Sequence, residues 1–90
     1  PADPLMRQLT VYVRHGCHLC SDMKQALERL RAELDFRINT VDIDGDPELV
    51  RRYTTRVPVL VADGVEICYY FLEESRLRQH LAESADSRPD

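Results

Sequence analysis

A change in hydrophobic period constrains the fold of this 90-residue chain more than any other sequence feature. Leu9, Val11 and Val13 alternate with polar and aromatic residues, and this period of two predicts a first strand over residues 8–14. Apolar residues then recur every three or four positions among charged ones, which predicts a long amphipathic helix over residues 18–34. A second strand after that helix would complete a β-α-β unit, whose strands run parallel with a right-handed crossover.

The region after the long helix contains a second strand and a short helix. Apolar residues between Phe36 and Ile43 predict the strand. Their parity changes between Ile38 and Val41, which indicates either a bulge or a strand that starts late. An Asp-Pro-Glu sequence then supplies an N-cap, a proline suited to the first helical position and an early acid, so a helix is predicted over residues 47–53.

The remaining elements are a hairpin and a third helix. Alternating apolar residues at 57–61 and 65–69 flank Asp63-Gly64, a turn pair whose glycine supplies the positive φ that tight hairpins need. The third helix is predicted from about residue 73, before a polar tail that begins at Ser84. The order β-α-β-α-β-β-α predicts an α/β fold: a four-stranded mixed sheet with helices on both faces and the first hairpin strand antiparallel to the first strand.

Composition indicates one domain, predicted over residues 6–83 with flexible termini at 1–5 and 84–90. No apolar stretch approaches the roughly 18 residues of a membrane span, so no membrane partner is expected. The net charge of -4 argues against nucleic acid as a partner. Three cysteines are too few for a secreted disulfide framework, and the N-terminus lacks a secretion signal. We therefore expect a cytoplasmic protein, and a monomer.

Cys17 and Cys20 lie at the start of the predicted long helix. Unpaired N–H groups and the helix dipole favour negative charge there, so the pKa of the Cys17 thiol should lie below that of a free cysteine. The spacing of three residues places Cys20 one turn further on the same face, within disulfide reach and nearer the core. Cys17 is therefore the candidate nucleophile and Cys20 the candidate resolving thiol.

The motif Cys17-His18-Leu19-Cys20 directly after the first strand, together with Arg56-Val57-Pro58-Val59, resembles the thioredoxin superfamily and most closely its glutaredoxin-like branch. The resemblance covers residues 8–83 and implies a thioredoxin-like three-layer sandwich. It also implies that Pro58 is held cis beside the cysteines and that the backbone of Val57 pairs with bound substrate as an added strand. The implied activity is that of a small thiol-disulfide oxidoreductase that acts on protein or small-molecule disulfides, is reset by a cellular dithiol and requires no cofactor.

The chain departs from the members of this branch that use glutathione. Such proteins carry a cation three residues before the first cysteine, a threonine before Val-Pro and a Gly-Gly pair after the hairpin; the matching residues here are Arg14, Arg56 and Cys68-Tyr69. Arg14 keeps the positive charge, and Arg56 adds a second one that could grip a carboxylate. Replacing both glycines removes the close backbone approach that a glutathione site uses. The sequence therefore argues against glutathione, which stays an alternative partner.

Several of these residues have a second interpretation. His18 either tunes the reduction potential or faces solvent, and Arg14 and Arg56 are either substrate contacts or ordinary surface residues. Cys68 is either a small core residue or an additional redox thiol. No metal site is expected, because the other candidate ligands do not lie at the spacing that a zinc site requires. Those ligands are His15, His18, Cys68 and His80.

Two functional alternatives follow from the same motif. The first is a non-catalytic adaptor that keeps the fold and holds a partner chain at the Val57-Pro58 edge. The second is a metal or iron–sulfur carrier that uses Cys17, since some glutaredoxins hold a cluster with glutathione.

Overall fold

A computed structural model of the protein describes residues 7–54 and 56–86, and its elements follow the predicted order. A 3₁₀ turn at Ile43–Gly45 is the one addition within these residues. The elements are β1 (Arg7–Val13), α1 (His18–Leu30), β2 (Phe36–Asp42), α2 (Pro47–Tyr53), β3 (Val59–Ala62), β4 (Val65–Tyr69) and α3 (Glu74–Asp86).

The four strands form one mixed sheet in the order β2-β1-β3-β4. β1 runs parallel to β2 and antiparallel to β3, and β3 and β4 form the antiparallel hairpin. This topology confirms the predicted mixed sheet and the antiparallel placement of the first hairpin strand. Because β1 is a central strand, the loop that follows it lies near the middle of one end of the sheet, where the strands terminate.

Apolar residues from the sheet pack into two clusters, one on each face. Leu9 and Val11 of β1 pack with α1 and α3. Tyr12, which alternates with them, stacks on Tyr53 of α2 at 4.8 Å between ring centroids and belongs to the second cluster. The structure thus confirms that helices cover both faces, with α1 and α3 on one and α2 on the other.

The parity change in β2 has a different cause from either predicted one. The strand begins at Phe36 and pairs with β1 without interruption, from Arg7 opposite Phe36 to Val13 opposite Asp42. Ile38 lies opposite Leu9 on one face, whereas Val41 lies opposite Tyr12 on the other. The predictions of a bulge or a late start in β2 are therefore wrong. β2 is an edge strand that places apolar residues on both faces of the sheet, with Ile38 on one face and Val41 on the other.

The register shift in the sheet lies instead in the hairpin, between Leu60 and Val61. Leu60 pairs with Cys68 and Val61 with Glu66, so Ile67 is the extra residue of a β-bulge. As a result the neighbours Ile67 and Cys68 are both buried in the cluster of α1 and α3.

Element boundaries differ from the predictions at three points. α1 ends at Leu30 rather than at residue 34. The chain then continues in turns, in which the N–H groups of Glu33 and Leu34 both donate to the Leu30 carbonyl. β3 begins at Val59, since Pro58 has no N–H to donate to a ladder. α3 continues through Asp86, beyond the start of the predicted tail. The other predicted terminal residues, 1–5 and 87–90, lie outside the described residues. No described helix is long and apolar enough to cross a membrane.

Candidate active site

Cys17 and Cys20 form a disulfide at the N-terminus of α1, with their Cα atoms 5.2 Å apart. Gly16, at φ 75°, turns the chain out of the loop after β1. Cys17 is the N-cap of the helix: its backbone is extended, and its Sγ accepts a hydrogen bond from the Cys20 N–H at 3.1 Å. When the disulfide is reduced, the same N–H and the helix dipole can stabilise a thiolate at Cys17.

The two sulfur-bearing residues differ in burial. Cys20 is only 4% exposed and packs with Ile43, Val57 and Val59. Cys17 is half-buried at the margin of the same cluster. Solvent therefore reaches Cys17, whereas Cys20 is enclosed by apolar residues.

An open cleft of about 430 Å³ lies beside both cysteines. Its cationic residues are Arg14 and Lys24, the only lysine of the chain, and its only carboxylate is Asp42. The sequence reasoning did not single out Lys24, although its position seven residues after Cys17 places both on one helix face. The remaining residues that line the cleft are Val13, His15, Gly16, His18 and Ser21.

Arg14 is engaged within the protein beside this cleft. Its guanidinium binds the Asp44 carboxylate through Nε at 2.9 Å and Nη2 at 2.8 Å, and Nη1 donates to the Thr54 carbonyl at 3.2 Å. The His15 N–H points to the same carboxylate at 3.5 Å. Arg14 therefore fastens the loop before Cys17 to the segments around α2, and its predicted substrate contact stays a prediction.

Arg56 is held in the same way on the other side of the cysteines. Its guanidinium lies 5.4 Å from the Tyr69 ring centroid and 6.0 Å from that of Tyr53. Nη1 pairs with Glu66 at 2.9 Å, and Nη2 donates to the Arg52 carbonyl at 3.3 Å. With its charge balanced by Glu66, Arg56 supports two aromatic rings, and its predicted role in binding substrate also stays a prediction.

The Val57–Pro58 peptide is cis, as the resemblance implies. Pro58 is fully buried, and its carbonyl accepts the Tyr70 N–H at 2.9 Å. Val57 packs in one cluster with Cys20, so the cis peptide lies beside the disulfide. Within residues 7–54 and 56–86, the Val57 N–H and carbonyl have no hydrogen-bond partner. Pairing of this backbone with a substrate as an added strand stays a prediction.

The structure separates the histidines. His18 is strongly exposed, and its Nε2 lies 3.5 Å from a carboxylate oxygen of Asp22 on the next turn. His15 is exposed at the rim of the cleft, whereas His80 lies far along the chain beside Asp63. In the described part of the chain, no three His, Cys, Asp or Glu side chains are grouped as metal ligands would be.

Cys68 lies in the hydrophobic cluster between the sheet and helices α1 and α3. It is 2% exposed among residues of α1, α3 and the sheet, and not in the cluster that contains Cys20. Burial raises the pKa of the Cys68 thiol, with a hydrogen bond from the Glu73 N–H opposing the shift. This location agrees with its interpretation as a small core residue, and an additional redox role stays a prediction.

Comparison with solved structures first defines the class of protein. The thioredoxin of Fasciola hepatica superposes with a TM-score of 0.55 at 22% identity, covering 87% of this chain and 80% of that one. At this identity the likeness shows the fold alone, and that fold is thioredoxin-like.

Sequence matches then define the family. Residues 8–82 match the Glutaredoxin-like domain (DUF836). A protein of Nitrosomonas europaea solved by NMR has 39% identity and a TM-score of 0.78, covering 89% of this chain and 94% of that one. An uncharacterized protein of Mycobacterium tuberculosis is 34% identical over 87 residues, covering 91% of this chain and 90% of the relative. The chain belongs to the glutaredoxin-like domain family.

Proposed function

We propose that this protein is a small thiol-disulfide oxidoreductase that reduces client disulfides with the Cys17/Cys20 pair. The observation that carries the proposal is the geometry of that pair: one sulfur caps α1 at an open cleft, and the other is buried within disulfide distance. The neighbouring cis Val57–Pro58 peptide supports it by offering an unpaired backbone where a client chain can lie.

The reaction requires only the two thiols. The Cys17 thiolate attacks one sulfur of the client disulfide, so a Cys17–client bond forms, the client S–S bond breaks, and the departing thiolate takes a proton from solvent. Cys20 then loses its proton and attacks Cys17 Sγ, which forms the Cys17–Cys20 bond and releases the second client thiolate. Two electrons have passed to the client, and the protein is oxidised.

Charges around the site favour the first step. The Cys20 N–H and the dipole of α1 act directly on Cys17 Sγ. Lys24 adds a positive charge to the cleft on the same helix face, whereas the charge of Arg14 is balanced by Asp44. These groups lie closer to Cys17 than to the buried Cys20 thiol, which supports Cys17 as the nucleophile.

The proposal includes a cellular dithiol as the reductant, no bound cofactor and a cytoplasmic setting. Glutathione is disfavoured because the positions that would carry the glycine pair are occupied by Cys68 and Tyr69 of β4, and the Cys68 side chain fills the core there. Reduction of the oxidised protein should therefore be slow with glutathione and fast with a thioredoxin-type reductase.

Thiol trapping across a series of dithiothreitol redox buffers tests the proposal. We expect the wild-type protein to lose two alkylatable thiols together, with Cys17 and Cys20 joined, whereas Cys17→Ser and Cys20→Ser form no internal disulfide. Cys68→Ser is the matched control and should titrate as the wild type does. Absence of the Cys17–Cys20 bond at every buffer ratio would contradict the proposal.

Activity on hydroxyethyl disulfide provides the second readout. Cys17→Ser should abolish reduction, and Cys20→Ser should accumulate a mixed disulfide at Cys17 that mass spectrometry detects. Turnover that persists in Cys17→Ser would also refute the proposal, and a partner retained by that variant in pull-down experiments would favour an adaptor instead.

A further inference from the structure

An aromatic surface lies next to the cis peptide. The large hydrophobic residues exposed in the described part of the chain are Val65, Tyr69 and Phe71, at 50%, 44% and 65%. Phe71 and Tyr69 lie at one end of β4, and Val65 lies at the other end. Solvent exposure of two neighbouring aromatic residues leaves apolar area that binding could bury.

This surface is continuous with the redox site. Val59 belongs to the cluster of Cys20 and Val57, and it pairs with Tyr69 across the hairpin. Tyr69 therefore lies on the same face of the sheet as the cis peptide. One residue further along, the Tyr70 N–H bonds to the Pro58 carbonyl, so the segment that carries Phe71 is anchored on the proline itself.

The backbone directly before Phe71 is strained. Tyr70 has φ 68°, and the Phe71 N–H bonds to the Tyr69 carbonyl at 2.8 Å, which together make a γ-turn of the rare kind with a left-handed centre. A bulky residue rarely adopts this conformation, and strained backbone of this sort is concentrated at binding and catalytic sites. Phe71 is the last residue of this turn and is 65% exposed.

The surface carries little net charge. Arg56, the cation stacked on Tyr69, is paired with Glu66 at 2.9 Å. A carboxylate ligand would have to compete with Glu66 for that guanidinium, whereas a neutral apolar group gains by covering the rings. The chemistry thus favours an apolar side chain over an anionic one.

We propose that Tyr69 and Phe71 form an apolar shelf that binds a hydrophobic side chain next to the reacting cysteine of a polypeptide client. This inference rests on the proposed reductase function and names its substrate class: disulfides in extended segments with flanking aliphatic or aromatic residues. The client backbone pairs with Val57, and because alternate side chains of an extended chain share a face, a residue close to the client cysteine reaches the shelf.

Two matched peptides test the shelf. Each carries one cysteine capped as a mixed disulfide with 2-mercaptoethanol, flanked by leucines in one peptide and by serines in the other. We expect the wild-type dithiol protein to react about tenfold faster with the leucine peptide, which corresponds to about 1.4 kcal/mol. Phe71→Ser should bring that ratio close to one, and Val65→Ser, at the far end of β4, should keep the wild-type ratio.

Several outcomes would overturn the shelf. They are equal rates for the two peptides in the wild type, or an equal loss of preference in Val65→Ser and Phe71→Ser. A concentration-dependent dimer in sedimentation that Phe71→Ser abolishes would assign the surface to a second copy of the chain. Tyr69→Ser is measured only if its circular dichroism matches that of the wild type, because Tyr69 also supports Arg56.

Failure of the reductase function is distinguishable from failure of the shelf. If the wild type reduces neither peptide nor hydroxyethyl disulfide, the proposed function fails. The shelf is then tested by NMR titration with the leucine peptide in which serine replaces cysteine. Shifts at the Tyr70 and Phe71 amides that Phe71→Ser removes would support the shelf, and no shifts at saturating peptide would refute it.

Discussion

The two ends of β1 each carry an arginine paired with an aspartate, but the pairs are built differently. At the N-terminal end, Arg7 pairs with Asp63 of the hairpin turn, and His80 Nε2 of α3 lies 2.9 Å from the same carboxylate oxygen. The Arg7 and His80 side chains are 15% and 18% exposed. At the other end, the Arg14 and Asp44 side chains are 37% and 40% exposed.

This difference predicts that the Arg7 end contributes more to stability than the Arg14 end does. The Arg7 end joins β1, the hairpin turn and α3 through one carboxylate, which is 45% exposed although both of its partners are largely buried. The Arg14 end has a more exposed arginine, an open cleft, the disulfide and the unpaired Val57 backbone. Sites that must admit a client retain open groups and exposed pairs, so the structure that holds them has to be stabilised elsewhere.

The largest change in stability is expected at the Arg7 end of β1. Asp63→Asn keeps a residue that tolerates the turn's positive φ but removes the charge that Arg7 and His80 share. We expect the free energy of unfolding to fall by about 1 kcal/mol, because two largely buried side chains lose one shared charged acceptor that is itself partly exposed to solvent. Urea denaturation measures it. Hydroxyethyl disulfide reduction should not change, and a clear rate loss would break the proposed division between the two ends.

A smaller change in stability is expected at the Arg14 end of β1. Asp44→Asn weakens an exposed pair, so the free energy of unfolding should fall by only about 0.5 kcal/mol. The variant frees the Arg14 charge beside the cleft, and we expect faster alkylation of Cys17 by iodoacetamide at neutral pH. A stability loss as large as that of Asp63→Asn would show that the two pairs are equivalent.

The smallest effect concerns Cys68 and pH. Because burial raises the pKa of the folded-state thiol, the unfolded chain loses this proton first as pH rises, and the folded state is then penalised. Stability from the protonated thiol is complete below the unfolded-state pKa and declines above about pH 8.5. With the Cys17–Cys20 disulfide formed, the wild type should lose more stability between pH 7 and pH 10 than Cys68→Ala does. Equal losses in the two proteins would contradict burial as the controlling factor.

Structural features that depend on a few neighbouring residues were predicted correctly from the sequence. Asp46 caps α2 by accepting the Glu48 N–H at 2.9 Å, and Pro47 occupies the first turn, so the helix spans the predicted residues. The hairpin turns at Asp63 and Gly64, both with positive φ. The position of the cysteine pair at the start of α1 follows from the same kind of local pattern.

Contacts between segments far apart in the chain could not be predicted from the sequence. Arg14 and Arg56 were predicted as substrate contacts, but their partners Asp44 and Glu66 come from other elements that only the folded sheet brings close. The bulge that directs Cys68 into the core depends on how β3 aligns with β4.

Sequence by itself therefore determined the element order, the fold class and the cysteine pair, since turns, caps and periodicity act over a few residues. Tertiary structure decided which face each edge-strand residue takes, which charges neutralise one another and which aromatic residues stay exposed beside Pro58. The physical reason is register: a strand's partners are chosen by the alignment of segments far apart in the chain, and a shift of one residue sends a side chain to the opposite face.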